Sequence, residues 1–222
     1  QGASFKAAML RGADLTGADL NGAAFGDDFV GNAAVLAECK LVDARVTACE
    51  MPYVDLQGAD LSGTDLCRAD LHNAKLRNAV MRKTTVGSAL LLEADLRGAD
   101  LTEAYLCNAR LNGANLTGAK LDRARLGGDD CLPATLNRAI LVRASLVGAR
   151  LCGVSLMRAD LSRSDVTDAD FSGADLTLAN LRAAHLTGAN FEGVDLTTTT
   201  LAFAGLSAAR NVSLQFSKAN VR

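Results

Sequence analysis

The sequence lacks an excess of charge of either sign and lacks long hydrophobic runs. Its 23 Lys and Arg residues nearly balance its 25 Asp and Glu residues, so that the formal net charge is −2. This balance favours neither a nucleic-acid-binding protein nor a strongly acidic decoy. No apolar stretch reaches the length of about 18 residues that a transmembrane helix requires. We therefore expect no nucleic-acid partner and no direct insertion into a membrane.

The residues of common catalytic sites are also scarce. The two histidines, His72 and His185, lie far apart in the chain, and there is no nucleophile elbow and no phosphate-binding loop. The Asp residues recur with the repeat described below, which explains them as turn residues rather than as an acid/base pair. The sequence predicts that the protein is not an enzyme, with no catalytic residue, no cofactor and no small-molecule substrate.

What the sequence has in abundance is an apolar residue at every fifth position. From Leu36 to Val221 these positions form 38 consecutive sites, of which 27 are Leu and ten are other apolar residues, while Asn211 is polar. We call them the leucine positions. Two residues before each stands a small residue, which is Ala in 27 of the 38 cases, and we call these the alanine positions. A strict period of this kind is typical of a repeat architecture.

A period of five fits neither an α-helix nor a simple strand. It would spread Leu around the whole circumference of a helix, and in a strand it would point successive leucines to opposite faces. One large and one small inward side chain per five residues instead predicts a chain that turns a corner every five residues. Asp or Asn, which favour turns, stands between the two in 16 of the 38 repeats. A helical bundle rich in Ala and Leu is the alternative.

The motif Ala-Asp/Asn-Leu-Xaa-Xaa, as in Ala59-Asp60-Leu61 and Ala114-Asn115-Leu116, resembles that of the pentapeptide-repeat proteins and covers essentially the whole chain. In that family four repeats form one square coil, with the Leu and Ala side chains inside. The resemblance implies an all-β fold, a right-handed quadrilateral parallel β-helix (a solenoid) of about eleven coils. We expect residues 1–222 to form a single domain of this kind, with a register break at 26–35 and an irregular coil at 127–133.

The six cysteines are expected to be free thiols. Three occupy inward positions and three directly follow a leucine position, where side chains should point outward. Two of the outward ones, Cys67 and Cys107, would lie two coils apart, about 10 Å, which is too far for a disulfide. With no CxxC motif and no Cys/His cluster, no metal site is predicted, and free thiols favour a reducing compartment. The inward residues are Cys39, Cys49 and Cys131, and the outward ones are Cys67, Cys107 and Cys152.

The repeat is interrupted twice. The first repeats run in a different phase, since eleven residues rather than ten separate Phe25 from Leu36. One extra residue within 26–35 predicts a β-bulge or a short protruding loop. The second interruption, at 127–133, keeps the phase but places Asp129 at an alanine position. Because a buried unpaired carboxylate is costly, we expect the backbone to deform there and let Asp129 out.

Counting twenty residues per coil places both interruptions on one face. The same face would carry Leu90 and Leu92 and the pair Leu132 and Pro133, with Leu92 and Leu132 in one outward column. Exposed apolar groups gathered on one face predict a protein-binding surface. The alternative is that each exposed Leu is isolated, as is common on protein surfaces.

A ladder of arginines is predicted as a second binding surface. Arg123, Arg143 and Arg163 are spaced by twenty residues, so they would stack on successive coils about 4.8 Å apart. Arg138 and Arg158 would form a shorter ladder on the adjacent face. Stacked like charges repel unless an anion or an acidic partner bridges them. The ladder therefore predicts either an acidic docking site or a row of splayed, solvated arginines.

The family resemblance leaves two functions open. Our first interpretation is a rigid, non-catalytic scaffold for protein–protein contacts, as a subunit of a larger photosynthetic, plastid or cyanobacterial assembly. Its location would be the cytoplasm or, after processing, the plastid stroma or thylakoid lumen. The alternative is a DNA-mimicking, gyrase-binding protein of the quinolone-resistance type. That role implies a strongly acidic rod and a C-terminal helical module, whereas here the net charge is −2 and the repeat persists to Val221.

The end coils are expected to need covering, because an open coil exposes unpaired strand edges and core leucines. At the C-terminus, Leu214 and Asn211 occupy inward positions and would partly plug the last coil. At the N-terminus, Gln1-Gly2-Ala3-Ser4 offers no such plug. We therefore predict a protein partner or self-association at the open N-terminal coil.

Overall fold

A computed structural model, which describes residues 2–211, shows a parallel β-helix of square cross-section. Isolated parallel bridges of one residue each join successive coils in four columns, one for each side of the square, and only the last two described coils are joined in three columns. The bridges divide residues 4–210 into ten coils. The one helix in the described residues is the 3-10 turn Val30–Asn32. No helix in this range has the length and hydrophobicity that crossing a bilayer requires.

We number the sides of the square in chain order. Sides 1, 2, 3 and 4 are the columns that contain Glu50, Asp55, Asp60 and Asp65, respectively. Within a column, residues twenty positions apart are neighbours along the axis, as when Asp55 pairs with Lys75. The spacing between neighbouring coils is about 4.8 Å, the distance between hydrogen-bonded strands.

Each regular corner is a β-turn that begins at a leucine position. The N–H of Ala59 donates to the carbonyl of Leu56 at 3.1 Å, and Gly58 between them has a φ of +66°. A closed turn with positive φ at its third residue has the geometry of type II, which favours Gly or Asn there. Many corners nevertheless carry another residue at this place, such as Arg138 with a φ of 61°. Each costs roughly 1 kcal/mol relative to glycine.

The Asp or Asn that precedes many of the leucine positions accepts a hydrogen bond from a backbone N–H of the following corner. The Oδ1 of Asp60 accepts a hydrogen bond from the N–H of Ser62 at 3.0 Å, and Asn115 accepts one from Thr117 at 3.1 Å. These bonds are Asx turns, which satisfy a corner N–H that has no strand partner. The recurrence of Asp and Asn is thus explained by turn formation.

Hydrogen bonds between coils run along the axis. The N–H of Leu101 donates to the carbonyl of Lys120 at 2.6 Å, and the N–H of Lys120 donates back to the carbonyl of Ala99 at 2.9 Å. A third bond joins the corner residue Glu103 to Asp122 at 2.9 Å. Stacking therefore satisfies the backbone N–H and C=O groups of each repeat, although each side contributes only one bridge residue per coil.

The leucine and alanine positions fill the interior, as predicted. Leu61, Leu101 and Leu121 are fully buried. The rings of Phe171 and Phe191 stack along the axis with centroids 5.3 Å apart. Cys39, at an alanine position, is also buried, and this burial raises the pKa of its thiol to about 11.

The first interruption is larger than the sequence predicts. Met9 pairs with Val35, 26 positions later, so this coil contains six extra residues rather than one. The N–H of Ala34 donates to the carbonyl of Phe25 at 2.6 Å and closes the base of the insertion. The eight residues 26–33, which we call loop 1, stand where an ordinary corner has two, so the six extra residues amount to one whole repeat and one further residue.

The second interruption also removes a whole repeat from the coil. Arg110 pairs with Thr135, 25 positions later, and the N–H of Ala134 donates to the carbonyl of Leu126 at 2.8 Å. Residues 127–133 form loop 2, in which Asp129 is exposed. The five extra residues add to the length of this coil but do not form one of its four sides. Every later residue therefore lies one side away from the side that twenty residues per coil would assign to it. The expected coil number of about eleven falls to ten among the described residues.

Loop 2 leaves the coil at a place where only glycine fits. A Cβ atom on Gly127 would lie 2.1 Å from the carbonyl oxygen of Cys152, which is backbone and cannot move aside. We expect Gly127→Ala to lower the free energy of unfolding by about 1–3 kcal/mol, measured by urea denaturation. Gly118→Asn is the matched control, because a Cβ there meets nothing within 4 Å and Asn78 already adopts the same positive φ. Equal stabilities of the two variants would contradict the close approach.

Candidate interaction surfaces

Loop 2 is fastened to the solenoid by a disulfide. Cys107 and Cys131 are bonded, with their Cα atoms 5.7 Å apart. The prediction of six free thiols was wrong, and so was the placement of Cys131 in the core, because the repeat that contains Cys131 folds outward over the preceding coil. The argument from free thiols for a reducing compartment falls with it. The structure keeps Cys39, Cys49, Cys67 and Cys152 as free thiols.

A cleft of about 390 Å³ lies between loop 2 and the corner where side 4 meets side 1. The disulfide, Cys67 and Tyr105 line it. Arg125 holds one wall in place, since its guanidinium lies 5.6 Å from the centre of the Tyr105 ring and pairs with Asp130 of the loop. The pair with Asp130 fixes loop 2 against the coil, and the contact with Tyr105 positions the guanidinium for it.

Loop 1 is held by polar contacts instead. Asp27 pairs with Lys6 at 3.2 Å and accepts hydrogen bonds from Asn32 and from the N–H of Phe29. These hydrogen bonds hold the pKa of the Asp27 carboxyl below its usual value, with the bond from the N–H of Phe29 contributing most. The loop presents Phe29 and Val30 to solvent, with 73% and 64% of their surfaces exposed.

The two loops do not lie on one face. Loop 1 leaves the coil where side 1 meets side 2, and loop 2 leaves it where side 4 meets side 1, so they border opposite edges of side 1. The prediction of a shared outward column for Leu92 and Leu132 is also wrong. The carbonyl of Leu92 accepts from the N–H of Asn73, while that of Leu132 accepts from Asn108 at a different corner.

The individual residues of the predicted apolar surface differ in exposure. Leu132 is 69% exposed, and Pro133 beside it is exposed as well. Leu90 and Leu92 are only partly exposed and belong to the regular coils of side 1 and its edge. Leu132 and Pro133 are therefore separated from Leu90 and Leu92, and their binding role stays a prediction.

The arginine ladder is shorter than the sequence predicts. The N–H of Arg143 donates to the carbonyl of Ser162 at 3.1 Å, which places Arg163 next to Arg143 along the axis. The N–H of Arg123 donates instead to the carbonyl of Val147, so Arg123 neighbours Gly148 at the corner of sides 3 and 4. Its assignment to the ladder was wrong, because loop 2 shifts all later residues by one side.

The end coils differ from the predicted pattern in one respect. At the N-terminal coil, Leu10 and Leu15 are only half-buried and Met9 is 75% exposed. At the other end, Asn211 is exposed rather than inward and donates to Oδ1 of Asn190 at 2.7 Å. Leu214, like the last leucine positions, lies outside the described residues. A partner or second copy at the N-terminal coil stays a prediction.

Comparison with known sequences supports the repeat over most of the chain. The family model described as pentapeptide repeats matches in eight copies, covering 1–27, 32–66, 49–85, 89–128, 139–177, 164–202 and 174–210. The matches stop and resume around both loops, which is consistent with repeats that leave the coil. A search of curated proteins gave no significant match.

Solved structures share the fold over nearly the full length. HetL, a pentapeptide repeat protein involved in heterocyst differentiation regulation in the cyanobacterium Nostoc sp. strain PCC 7120, is 31% identical. The match covers 91% of this chain and 90% of HetL, with a TM-score of 0.62. QnrB1, a plasmid-mediated fluoroquinolone resistance protein, is 18% identical over 98% of this chain and 96% of its own, with a TM-score of 0.55. These relatives are right-handed β-helices, and this chain has the same fold.

Proposed function

Because this chain belongs to the pentapeptide-repeat family, we propose that it is a non-catalytic scaffold whose β-helix presents fixed surfaces to other proteins. One observation carries this proposal. The two loops that leave the regular coils hold large apolar side chains in solvent, namely Phe29, Val30 and Leu132, each more than 60% exposed. Exposed apolar groups rimmed by polar residues are typical of protein contact sites.

The loops are also preorganised for binding. Loop 1 is closed by the ion pair of Asp27 with Lys6, and loop 2 is closed by the Cys107–Cys131 disulfide. A loop that is already ordered loses less conformational entropy when a partner binds, so more of the contact energy contributes to affinity. The stacked coils beneath provide a base that keeps the two loops at a constant separation.

The similarity to HetL supports a role through contacts but does not identify a partner. HetL is described as involved in the regulation of heterocyst differentiation, and regulation by a rod without a catalytic site requires binding to another molecule. The repeat motif fixes two positions in every five, so part of the 31% identity reflects the shared fold. The similarity to QnrB1, at 18% identity, concerns the fold alone, and the net charge of −2 gives no support to DNA mimicry.

Affinity capture from an extract of the source organism tests the scaffold role. We expect the wild-type protein to retain specific proteins and the double variant Phe29→Arg/Leu132→Arg to retain at least about tenfold less of them, since a charge at an apolar contact centre costs more than 1.4 kcal/mol. Thr187→Arg, at an exposed corner of the regular coil, is the control and should behave as the wild type. Retention of no protein above bare resin, or equal retention by the loop variant, would overturn the proposal.

A further inference from the structure

Four arginines bracket one end of side 2. Arg138 neighbours Arg158 at the corner of sides 1 and 2, and Arg143 neighbours Arg163 at the corner of sides 2 and 3. Between these corners runs the bridge column from Ile140 through Asp160. All four arginines are exposed, and neighbours in each pair are about 4.8 Å apart along the axis. Arg182 extends the second corner by one coil.

Positive and negative charges of residues 134–210 lie mostly on different sides of the square. Residues 134–210 contain seven Arg, no Lys and seven Asp or Glu, so their net charge is zero. Five of the seven arginines lie on side 2 or its corners, together with a single acid, Asp160. The remaining acids lie on the other three sides and their corners, namely Asp165, Asp168, Asp170, Asp175, Glu192 and Asp195.

The arginines of side 2 have no carboxylate partner. Within residues 2–211, none of the five forms an ion pair, whereas Arg82, Arg97 and Arg125 elsewhere do. The Oδ1 of Asp160 already accepts from the N–H of Ser162 at 2.9 Å and from Nδ2 of Asn180 at 3.0 Å. Unpaired like charges held side by side repel, so an anionic group placed between them is favourable.

Exposed apolar side chains occupy the same surface. Ile140 and Met157 are 38% and 39% exposed, and Leu178 and Phe203 are 51% and 72% exposed. Leu178 directly follows Arg158 in its corner column, and Phe203 lies two coils beyond Arg163 in the other.

Leu178 and Phe203 also occupy corner positions with φ values of 58° and 61°. Positive φ is rare for bulky side chains and costs energy that Gly or Asn would save. An exposed corner with positive φ favours a small or polar residue, so neither solvent exposure nor backbone preference explains why Leu and Phe stand here. A contact with another molecule would explain them.

We propose that this surface, which we call the basic face, is a docking site for an acidic protein segment that carries apolar side chains. The inference rests on the proposed scaffold role and adds the chemistry of the partner. Carboxylates of the segment pair with Arg138, Arg143, Arg158 and Arg163, which can bind them in a bidentate manner. Apolar side chains of the segment pack against Ile140, which lies between the two corners, and against Leu178, which lies next to Arg158 in its corner column.

The chemistry of the basic face favours a protein over a nucleic acid. A phosphate backbone offers no partner for Ile140, Met157 and Leu178, which lie among the arginines rather than beside them. The Arg182 guanidinium lies 4.7 Å from the centre of the Phe203 ring and occupies one of its two faces, which leaves at most one face for stacking on a base. An acidic segment with apolar residues matches both components.

Fluorescence anisotropy with a labelled ten-residue peptide of Glu interspersed with Leu and Phe is the test. We expect binding at 50 mM salt to weaken at least about tenfold in Arg143→Glu/Arg163→Glu, because charge reversal replaces two attractions by repulsion. Arg123→Glu is the matched control, since Arg123 has the same corner position and positive φ but lies at the corner of sides 3 and 4. It should change the affinity by less than about twofold. An all-Glu peptide should bind more weakly, and Leu178→Asp should remove that difference.

Each other result overturns the docking site. Equal losses with Arg123→Glu would show a general charge effect, and no binding of the peptide at about 1 mM would show no site for it. Tighter binding of a single-stranded oligonucleotide, again lost with Arg143→Glu/Arg163→Glu, would identify a nucleic-acid surface. Self-association in light scattering that the same variant abolishes would identify a second copy as the occupant. Partner capture through the loops is measured separately, so failure here leaves the scaffold role standing.

Discussion

Leu101→Ala is expected to lower the free energy of unfolding by about 3–4 kcal/mol. Leu101 is fully buried at a leucine position of side 3, and its neighbours along the axis are held by backbone hydrogen bonds to both adjoining coils. The coils therefore cannot close the cavity, and the cost lies well inside the range of about 2–5 kcal/mol for buried Leu to Ala. In a solenoid each coil touches only its two neighbours, so the loss weakens two interfaces in the middle of the stack.

Guanidinium denaturation followed by circular dichroism measures this loss. Leu178→Ala is the matched control, because this Leu is 51% exposed and leaves no cavity. We expect it to change the stability by less than about 0.5 kcal/mol. A cost for Leu101→Ala below about 1 kcal/mol would mean that the interior relaxes, contrary to the rigid stack.

Loss of the Cys107–Cys131 disulfide is also expected to lower the free energy of unfolding by several kcal/mol. The bond closes a segment with a sequence separation of 24, for which the chain-entropy relation gives roughly 3.5 kcal/mol. We expect Cys107→Ala/Cys131→Ala to lose about 2–4 kcal/mol in thermal or guanidinium unfolding. Adding dithiothreitol should bring the wild-type protein to the stability of the variant and leave the variant unchanged.

Cys67→Ala is the control for the disulfide. Cys67 is a free thiol that lines the same cleft, so its removal should leave the response to dithiothreitol intact. Mass spectrometry after alkylation adds an independent readout, with four labelled cysteines in the denatured wild type and six after reduction. Six labelled cysteines without reduction would contradict the bond.

The sequence predicts the regular coil well because the residues that determine the fold of a repeat lie within that repeat. Leu at the fifth position fills the interior, Ala two residues before it allows close approach, and Asp or Asn supplies the Asx turn, as in Ala59-Asp60-Leu61. These rules are local, so they hold wherever the motif occurs. The thiols Cys39 and Cys49 were placed correctly in the core by the same rules.

The surface could not be predicted with the same success, because its columns depend on how many residues enter each coil. The motif does not reveal that 127–133 leaves the coil, since the five extra residues equal one repeat and keep Cys131 in phase with Leu126 and Leu136. From that point a count of twenty assigns each residue to the wrong side. Arg123 was joined to the ladder for this reason, and the nearness of Cys107 to Cys131 was missed.

Asp129 at an alanine position already predicted that the backbone deforms at 127–133, and the structure places Asp129 in solvent, but the loss of a whole repeat from the coil was not predicted. Asp129 breaks the run of small residues, and Pro133 follows four residues later. Together they indicate that this repeat does not line the interior. The basic face has a weaker signal in the sequence. Leu178 and Phe203 occupy the corner position where Gly, Asn or charged residues stand in most other repeats.

The two loops have a consequence for how such a protein changes during evolution. A five-residue duplication that joined the coil would turn everything after it by a quarter of a revolution, and would carry the basic face to another side relative to the first coils. A duplication that is looped out, as at 127–133, adds chain while the following coils keep their orientation. Insertions that bulge outward therefore let a rod gain local features without disturbing binding surfaces elsewhere, whereas insertions within the coil rearrange all of them at once.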